Sequence, residues 1–237
     1  MIEKAELEGK IKKGDTLIEV SSRNTGISLA AISLIKGYNL KIILPETASK
    51  ERINILKMLK AELIFVKPED WRDKAVKYGK MLAEENNWIM LNQYENQANV
   101  KAQEKTGKEI LASLGEEIPD VFIAGIGTGG TITGISKILK NKFPNIKVIG
   151  ILPEGKIEGL RGFEEFKPKI LDLTLVDELI KIKEEIAVQA TKDLIEQGLL
   201  MGVSSGAAFY LAKKYAEKGL KVVTIFPDGI EKYLSYI

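Results

Sequence analysis

One segment constrains the fold more than any other: an apolar run that passes directly into a glycine-rich turn and then into a helical pattern. Residues 121–124 read Val-Phe-Ile-Ala, Gly125-Ile126-Gly127-Thr128-Gly129-Gly130-Thr131 follows, and the spacing of apolar residues predicts a helix over 131–140. Glycines let a backbone turn sharply and approach a ligand closely, and the N–H groups at a helix start attract anions. The segment therefore predicts a phosphate cradle after a buried strand, with a tight ligand-free turn as the simpler alternative.

The same glycines permit a second functional interpretation. Gly125, Gly127 and Gly130 satisfy the pattern G-x-G-x-x-G, and Glu154 stands at the end of the next predicted strand, where an acid that binds a ribose could lie. However, the loop comes after more than a hundred residues of α/β pattern, which is late for the first unit of a dinucleotide-binding fold. An NAD-binding oxidoreductase is therefore an outside alternative.

The rest of the chain alternates between strand-like and helix-like runs. Strands are predicted at 16–20, 41–45, 62–66, 88–91, 121–124, 147–152 and 221–226, and helices at 27–35, 51–60, 70–85, 131–140, 184–197 and 207–217. Such alternation predicts an α/β protein with mostly parallel sheets flanked by helices. The least regular stretch, 153–169, is predicted to be a loop over a site.

Composition excludes several classes of chemistry. The chain has 237 residues, no cysteine and no histidine, so disulfides, thiolate nucleophiles, Cys/His metal sites and Ser-His-Asp triads are absent. The net charge is +2 without a dense basic cluster, so we expect no nucleic-acid partner. No membrane segment or signal peptide is predicted either, and we expect a cytoplasmic protein. The Lys/Glu/Ile-rich, cysteine-free composition leans towards a thermophile source.

Two further polar loops precede predicted helices. Ser21-Ser22-Arg23-Asn24-Thr25-Gly26 follows the strand at 16–20, and its hydroxyls, amide and helix-start N–H groups suit a carboxylate. Gly202-Val203-Ser204-Ser205-Gly206 precedes the helix at 207–217. Taken alone, ordinary N-capping by Ser, Asn or Thr is the better explanation of the first loop, and a Ser N-cap is the simpler explanation of the second.

Together, and in this order, the three loops resemble the cysteine synthase (O-acetylserine sulfhydrylase) and cystathionine β-synthase branch of the fold-type II pyridoxal-phosphate (PLP) enzymes. Other motifs extend the resemblance over almost the whole chain: Leu44-Pro45-Glu46-Thr47, Gln93-Tyr94-Glu95-Asn96, Thr106-Gly107-Lys108-Glu109-Ile110 and Phe226-Pro227-Asp228-Gly229. The resemblance implies two lobes, each a mostly parallel sheet flanked by helices. Residues 16–91 would form a smaller lobe that closes over the substrate, 92–237 a larger PLP-binding lobe, and 1–15 a remnant of a helix and a linker.

The resemblance also implies roles for individual residues. The PLP phosphate would be held by Gly127, Thr128, Gly129, Gly130 and Thr131. Asn24 would bond the phenolic oxygen of the ring, and Ser204 would face the pyridine nitrogen. The carboxylate of a small amino-acid substrate would be bound by Ser21, Ser22, Thr25 and Gln93. The family reaction replaces the β-substituent of an activated serine (O-acetylserine or O-phosphoserine) by sulfide, and homodimers are usual.

The chain departs from the family at its most important residue. Family members carry the lysine that binds PLP covalently in a Ser-x-Lys-Asp/Asn-Arg context ahead of the asparagine loop, and no lysine here has that context. Met1–Glu6 resembles the end of the helix concerned, so we expect the lysine and the first strands of the larger lobe to be missing. No catalytic residue is therefore assigned. Activity would be impaired or lost; the alternatives are a PLP- or amino-acid-binding protein without turnover and a subunit completed by a partner chain.

Arg23 is a second departure, because the family usually has glycine there. If the position required a positive φ, arginine would add strain of about 1 kcal/mol. Alternatively, its guanidinium group could recognise an anionic β-substituent such as a phosphate on serine. We therefore count Arg23 among the substrate-binding candidates.

Overall fold

A computed structural model describes residues 1–71, 73–162 and 167–236. The chain divides into two compact units, Met1–Asn96 and Gln97–Ile237. Each unit contains a four-stranded sheet in which all paired strands run parallel, with helices in the connections. The predicted α/β class with two mostly parallel sheets is confirmed. The finer prediction of a mobile lobe at 16–91 stays a prediction.

The first unit has the strand order β3-β2-β1-β4. Its strands are β1 (Thr16–Val20), β2 (Asn39–Pro45), β3 (Glu62–Val66) and β4 (Ile89–Met90), and its helices are α1 (Ile2–Leu7), α2 (Asn24–Lys36), α3 (Lys50–Met58) and α4 (Asp73–Asn86). The two central strands are buried on both faces, as expected where crossover helices cover a parallel sheet. Ile18, Val20, Ile42 and Ile43 are fully buried, and so is one charged residue among them, Glu19.

The second unit has the strand order β7-β6-β5-β8. Its strands are β5 (Val121–Gly125), β6 (Lys147–Glu154), β7 (Glu178–Lys183) and β8 (Val222–Thr224), and its helices are α5 (Gln97–Leu114), α6 (Gly130–Lys142), α7 (Glu184–Glu196) and α8 (Val203–Ala216). Short 3-10 turns occur at Pro68–Asp70, Leu173–Leu175 and Ile230–Lys232. Part of the loop predicted at 153–169 lies outside the described residues.

Two elements were not predicted from the sequence. Helix α5 buries mainly small residues, Ala98, Val100 and Gly107, so it lacks the large apolar residues that mark a helix by their spacing. Edge strand β7 alternates lysine and glutamate with apolar residues and is half-exposed, unlike the continuous apolar runs of the central strands. In both cases, packing against a neighbour rather than apolar content determines the structure.

The helices that follow the three candidate loops begin earlier in the structure than the sequence predicted. Helix α2 begins at Asn24 and not at 27, α6 at Gly130 and not at 131, and α8 at Val203 and not at 207. The first turns of α2 and α8 are polar, so the apolar spacing used for prediction begins only in the second turn. As a result, Asn24 and Ser204 lie on the first turns of helices. Among the described residues, no helix combines the length and apolar character needed to cross a membrane.

The packing of α7 on α8 yields a prediction for Gly206. A Cβ atom at this position would overlap the hydroxyl group of Thr191 and the carbonyl group of Ala187. Gly206→Ala should therefore lower the free energy of unfolding by about 2 kcal/mol, although alanine is ordinarily favoured over glycine in a helix. Urea unfolding followed by circular dichroism measures the change.

The matched control for this prediction is Gly219→Ala, at the turn after α8. Gly219 has φ +84 and open space around its Cα, so alanine there adds only backbone strain of about 1 kcal/mol. A loss at Gly206 no larger than that at Gly219 would contradict close packing as the cause.

Candidate functional site

A polar loop joins the carboxyl end of β1 to α2 in the first unit. Ser21 is buried at the start of this loop, and its N–H donates to the Ile43 carbonyl of β2 at 3.0 Å. Ser22, Arg23, Asn24 and Thr25 follow and are half-buried. The loop thus holds five predicted site residues at the edge of the sheet where parallel strands end, a common place for ligands.

The hydroxyl group of Ser21 caps the start of α2 from outside the helix. It accepts hydrogen bonds from the N–H of Gly26 at 2.9 Å and from the N–H of Arg23 at 3.3 Å. The N-cap residue itself is Arg23, which makes no side-chain cap. A serine hydroxyl has two acceptor sites and one donor. Both acceptor sites are occupied here, and the O–H is suited to donate to a ligand carboxylate, so capping and substrate binding are compatible roles.

Gln93, in the loop after β4, lies beside the end of β1. Its side-chain Nε2 donates to the Val20 carbonyl at 2.7 Å, and its backbone N–H donates to Oε1 of Glu19 at 3.4 Å. The structure therefore brings together the Ser21 loop and Gln93, two of the predicted carboxylate-binding elements, although more than seventy residues separate them. They meet because β4 pairs directly with β1.

Glu19 was not singled out by the sequence, yet it is the buried acid of this arrangement. Its Oε1 also accepts the Val20 N–H at 3.1 Å, whereas no group among the described residues bonds its Oε2. Burial raises the pKa of Glu19 to about 7, and the N–H groups of Gln93, Val20 and Asn92 oppose this shift only in part. The sequence signal that could have identified Glu19 is its position as a charged residue among the apolar residues of a predicted strand.

The strain interpretation of Arg23 is wrong. The residue has φ −140 and ψ −153, an extended conformation that any amino acid adopts, so the position does not require glycine. The alternative interpretation, recognition of an anionic substituent, stays a prediction.

The glycine loop lies in the second unit, between β5 and α6. Gly129 is the N-cap of α6, with φ 87, a left-handed conformation that glycine adopts without strain. The N-cap residue has no side chain, but the Gly130 N–H donates to Oγ1 of Thr128 at 3.4 Å. The N–H groups of the first turn have no partner within the helix, and the helix dipole adds positive potential at the same place. Anion binding by Gly130 and Thr131, which begin the helix, stays a prediction.

Side chains are excluded from this loop by its neighbours. A Cβ atom on Gly127 would lie 2.9 Å from the Gly159 carbonyl oxygen, and one on Gly129 would lie 2.6 Å from Cβ of Leu171. A Cβ atom on Gly130 would overlap the amide of Asn99, whose Nδ2 donates to Oγ1 of Thr128 at 3.3 Å. Apart from the side chain of Thr128, the turn is therefore lined by backbone, which leaves it open to the close approach of an anion.

Ser204 lies on the first turn of α8 and is buried. It faces Gly159, where a Cβ atom would lie 2.8 Å from Cβ and 2.9 Å from Oγ of Ser204. Gly159 has φ 99 and also contacts Gly127. Gly159 thus adjoins two predicted cofactor-binding residues, Gly127 and Ser204. The sequence analysis did not identify Gly159. The only signal for Gly159 was its position in the irregular stretch predicted to cover a site.

Asp228, part of the Phe226–Gly229 motif of the resemblance, supports the start of α8. Its carbonyl accepts the Gly202 N–H at 3.0 Å, and its Oδ2 accepts the Tyr233 hydroxyl at 2.7 Å. A side chain on Gly202 would overlap the Asp228 carboxylate. The loop after β8 therefore fixes Gly202, the N-cap residue of α8, two positions before Ser204. Among the described residues, no group of three or more Asp or Glu side chains is arranged to hold a metal ion.

The family described as "Pyridoxal-phosphate dependent enzyme" matches residues 1–228. This chain belongs to the pyridoxal-phosphate dependent enzyme family. Within that family, it is 41% identical to a cysteine synthase of Staphylococcus aureus over 252 aligned residues, covering 99% of this chain and 81% of the relative. It is 40% identical to a cystathionine beta-synthase of Dictyostelium discoideum, covering 99% of this chain and 52% of the relative.

Solved structures of the pyridoxal-phosphate dependent enzyme fold agree closely with this one. O-ureido-L-serine synthase matches with a TM-score of 0.95 and 29% identity, over 100% of this chain and 79% of that protein. A hydrogen sulfide-producing enzyme from Fusobacterium nucleatum matches with a TM-score of 0.91 and 35% identity, over 98% and 84%. The resemblance to the cysteine synthase and cystathionine β-synthase branch is confirmed, and it favours PLP over a dinucleotide.

The buried carboxyl group of Glu19 yields a prediction about stability. Because its pKa in the folded chain is raised to about 7 from an ordinary 4.5, Glu19 favours the folded state below about pH 4.5, and that contribution is lost as the pH rises through 7. Glu19→Gln removes the ionisation. The stability of the variant relative to the parent should therefore increase by about 3 kcal/mol between pH 4.5 and pH 8.

Urea unfolding at both pH values checks this difference. Glu62→Gln is the control, because Glu62 is an exposed acid of the same sheet paired with Lys41. A pH-independent stability difference for Glu19→Gln would show that the pKa of Glu19 is not raised in the folded chain.

Proposed function

We propose that this chain binds PLP through the glycine loop and binds the carboxylate of an amino acid through the Ser21 loop and Gln93, as a cysteine synthase-like β-replacement protein. The observation that carries the proposal is the turn at 127–130, where side chains on Gly127, Gly129 and Gly130 would overlap neighbouring atoms and which leads into the start of α6. Membership of the pyridoxal-phosphate dependent enzyme family supports the phosphate of PLP as the anion bound at this turn.

Bound PLP would supply an electron sink for bond changes at the substrate Cα and Cβ atoms. The chain's own residues would supply binding and orientation. The N–H groups at the start of α6 would hold the phosphate beside Thr128, whose Oγ1 accepts a hydrogen bond from Asn99. Ser204 would present a neutral hydroxyl group to the pyridine nitrogen. Asn24 would bond the phenolic oxygen, while Ser21, Ser22, Thr25 and Gln93 would orient the substrate carboxylate.

The proposed reaction is the replacement of the β-substituent of O-acetylserine or O-phosphoserine by sulfide. It needs a lysine that holds PLP and moves the Cα proton. Because no lysine in the sequence has the family's context, we propose that these 237 residues bind the cofactor and the amino acid but catalyse poorly or not at all unless that lysine is supplied. A binding protein without turnover and a subunit completed by a partner chain are the other forms of this proposal. We also propose that the protein is cytoplasmic, forms a homodimer and comes from a thermophile.

Reduction of the PLP-loaded chain tests the proposal. We expect PLP to bind with a visible absorption band, and borohydride treatment followed by mass spectrometry to find no single lysine carrying the pyridoxyl group. Labelling of one defined lysine would mean that the chain carries a substitute and would overturn the expectation of poor catalysis. Absence of any PLP binding would overturn the cofactor assignment itself.

A glycine variant tests the cradle directly. Gly129→Ala introduces a side chain against Leu171 at a residue with φ 87, so it should weaken PLP binding at least tenfold, which corresponds to about 1.4 kcal/mol. Gly115→Ala is the matched control, because Gly115 also has a positive φ, 58, but open space around it. Equal PLP affinity for the two variants, measured by absorption titration, would place the phosphate elsewhere.

Arg23 yields a prediction about substrate preference. If its guanidinium group binds a phosphate on the β-substituent, Arg23→Gly should weaken O-phosphoserine binding about tenfold and leave O-acetylserine binding nearly unchanged, since a hydrogen bond to a charged group contributes about 1.5–3 kcal/mol. Titrations of the PLP-loaded chain with both compounds measure this. Equal effects on the two ligands would refute the assignment.

A further inference from the structure

We infer that Glu19 is a positioning residue of the carboxylate site: it joins the two segments that carry the proposed carboxylate-binding residues, and a ligand carboxylate bound there draws a proton onto it. The inference rests on the proposed function, because it assumes an amino-acid carboxylate at the Ser21 loop. It adds that this binding is coupled to the uptake of one proton by a residue that does not itself contact the ligand.

Glu19 connects the end of β1 to the loop after β4. It is the residue before the last in β1, and its Oε1 accepts N–H groups from both Val20 and Gln93. The Gln93 side chain returns a hydrogen bond to the Val20 carbonyl. The end of β1 and the loop after β4 are therefore held together at two points. Ser21 follows Val20 directly, so any change in these bonds is transmitted to both carboxylate-binding segments.

The second carboxyl oxygen of Glu19, Oε2, differs from Oε1 in its hydrogen bonding. Glu19 is 0% exposed, and within the described part of the chain its Oε2 has no hydrogen-bond partner. A buried ionised oxygen without a partner is unfavourable, whereas a protonated one is neutral. Consistent with this, burial raises the pKa of Glu19 to about 7. The group therefore exchanges its proton near neutral pH, where a modest change in local charge shifts the equilibrium.

No charged side chain of the described residues is among the groups that shift the pKa of Glu19. Charged residues on the elements that pack against β1, and in the loop after β4, are engaged elsewhere: Lys41 of β2 with Glu62, Lys80 of α4 with Glu95, and Lys77 and Lys74 of α4 with Asp73 and Asp70. Glu84 and Glu85 of α4 are exposed, as is Tyr78. The pKa of Glu19 is raised by burial and lowered by N–H groups. A carboxylate bound by Ser21 and Gln93 would thus add a negative charge to the two segments that Glu19 joins.

Two negative charges close together in a low-dielectric region disfavour each other, so the bound ligand should raise the pKa of Glu19 further. Linkage requires the reciprocal effect, which is tighter binding of the ligand when Glu19 is protonated. The affinity for a carboxylate should therefore fall as the pH rises above the pKa of the free chain, by up to tenfold per pH unit. Glu19→Gln, which is neutral at every pH, should bind with an affinity independent of pH.

The experiment uses the full chain loaded with PLP and 3-hydroxypropionate, which is serine without its amino group and therefore cannot react with PLP. Its dissociation constant is measured by NMR titration at about pH 6, 7 and 8, a range that spans the transition expected from linkage. The carbon-13 resonance of the Glu19 carboxyl group is followed with and without the ligand. Glu19→Gln is the test variant, and Glu62→Gln is the control.

The expected result is a pKa of Glu19 that rises on ligand saturation, with pH-dependent binding in the parent chain and in Glu62→Gln but not in Glu19→Gln. Ligand binding that leaves the Glu19 resonance and its pKa unchanged would overturn this inference alone. If 3-hydroxypropionate binds to no variant at any pH, the proposed carboxylate site is wrong and the inference falls with it. Because the resonance is read in the parent chain, the test holds even if Glu19→Gln does not fold.

Discussion

The hydrogen-bonded pairing of parallel strands determines where both groups of candidate site residues lie. Neighbouring parallel strands end at the same edge of a sheet, so the loops that follow them meet even when they are distant in sequence. In the first unit, the pairing of β1 with β4 places Gln93 beside the end of β1. In the second, the pairing of β5 with β6 lets the loop after β6 bring Gly159 against Gly127. Each unit therefore builds its part of the chemistry from two loops.

Close backbone contact is the second requirement, and it explains glycines at the candidate site that turn geometry does not. Gly127 and Gly130 are not among the glycines with positive φ, yet side chains at these positions would meet Gly159 or Asn99. Gly202 likewise leaves room for the Asp228 carboxylate. The absence of side chains keeps N–H groups accessible at the start of α6 and lets the final loop approach α8. A ligand-binding turn and a tightly packed helix start are thus produced by the same residue type.

The sequence predicted those features that depend on neighbours along the chain. The apolar strands, the glycine loop and its helix, and the two polar loops are local patterns, and the structure contains all of them. What it could not predict depends on distant partners. Glu19 acquires its role from Gln93, Gly159 from Ser204, and Asp228 from Gly202 and Tyr233. Helix α5 is recognisable only through its small-residue contact with α6, since a Cβ atom on Gly107 would lie 2.8 Å from Cβ of Ile138.

The burial of Glu19 is unfavourable for folding but is required for its proposed role in ligand binding. Burial of an acid inside a sheet is unfavourable for folding once the acid ionises, and an apolar or amide side chain would fill the same space more favourably. Such violations of the local rules are expected where a protein binds or reacts with a ligand. The position of Glu19, one residue before the turn into the Ser21 loop and bonded to the Gln93 segment, gives the violation a specific consequence. A group that is neutral when the ligand carboxylate is bound, and able to ionise when it is not, would make substrate affinity sensitive to pH without touching the PLP cradle.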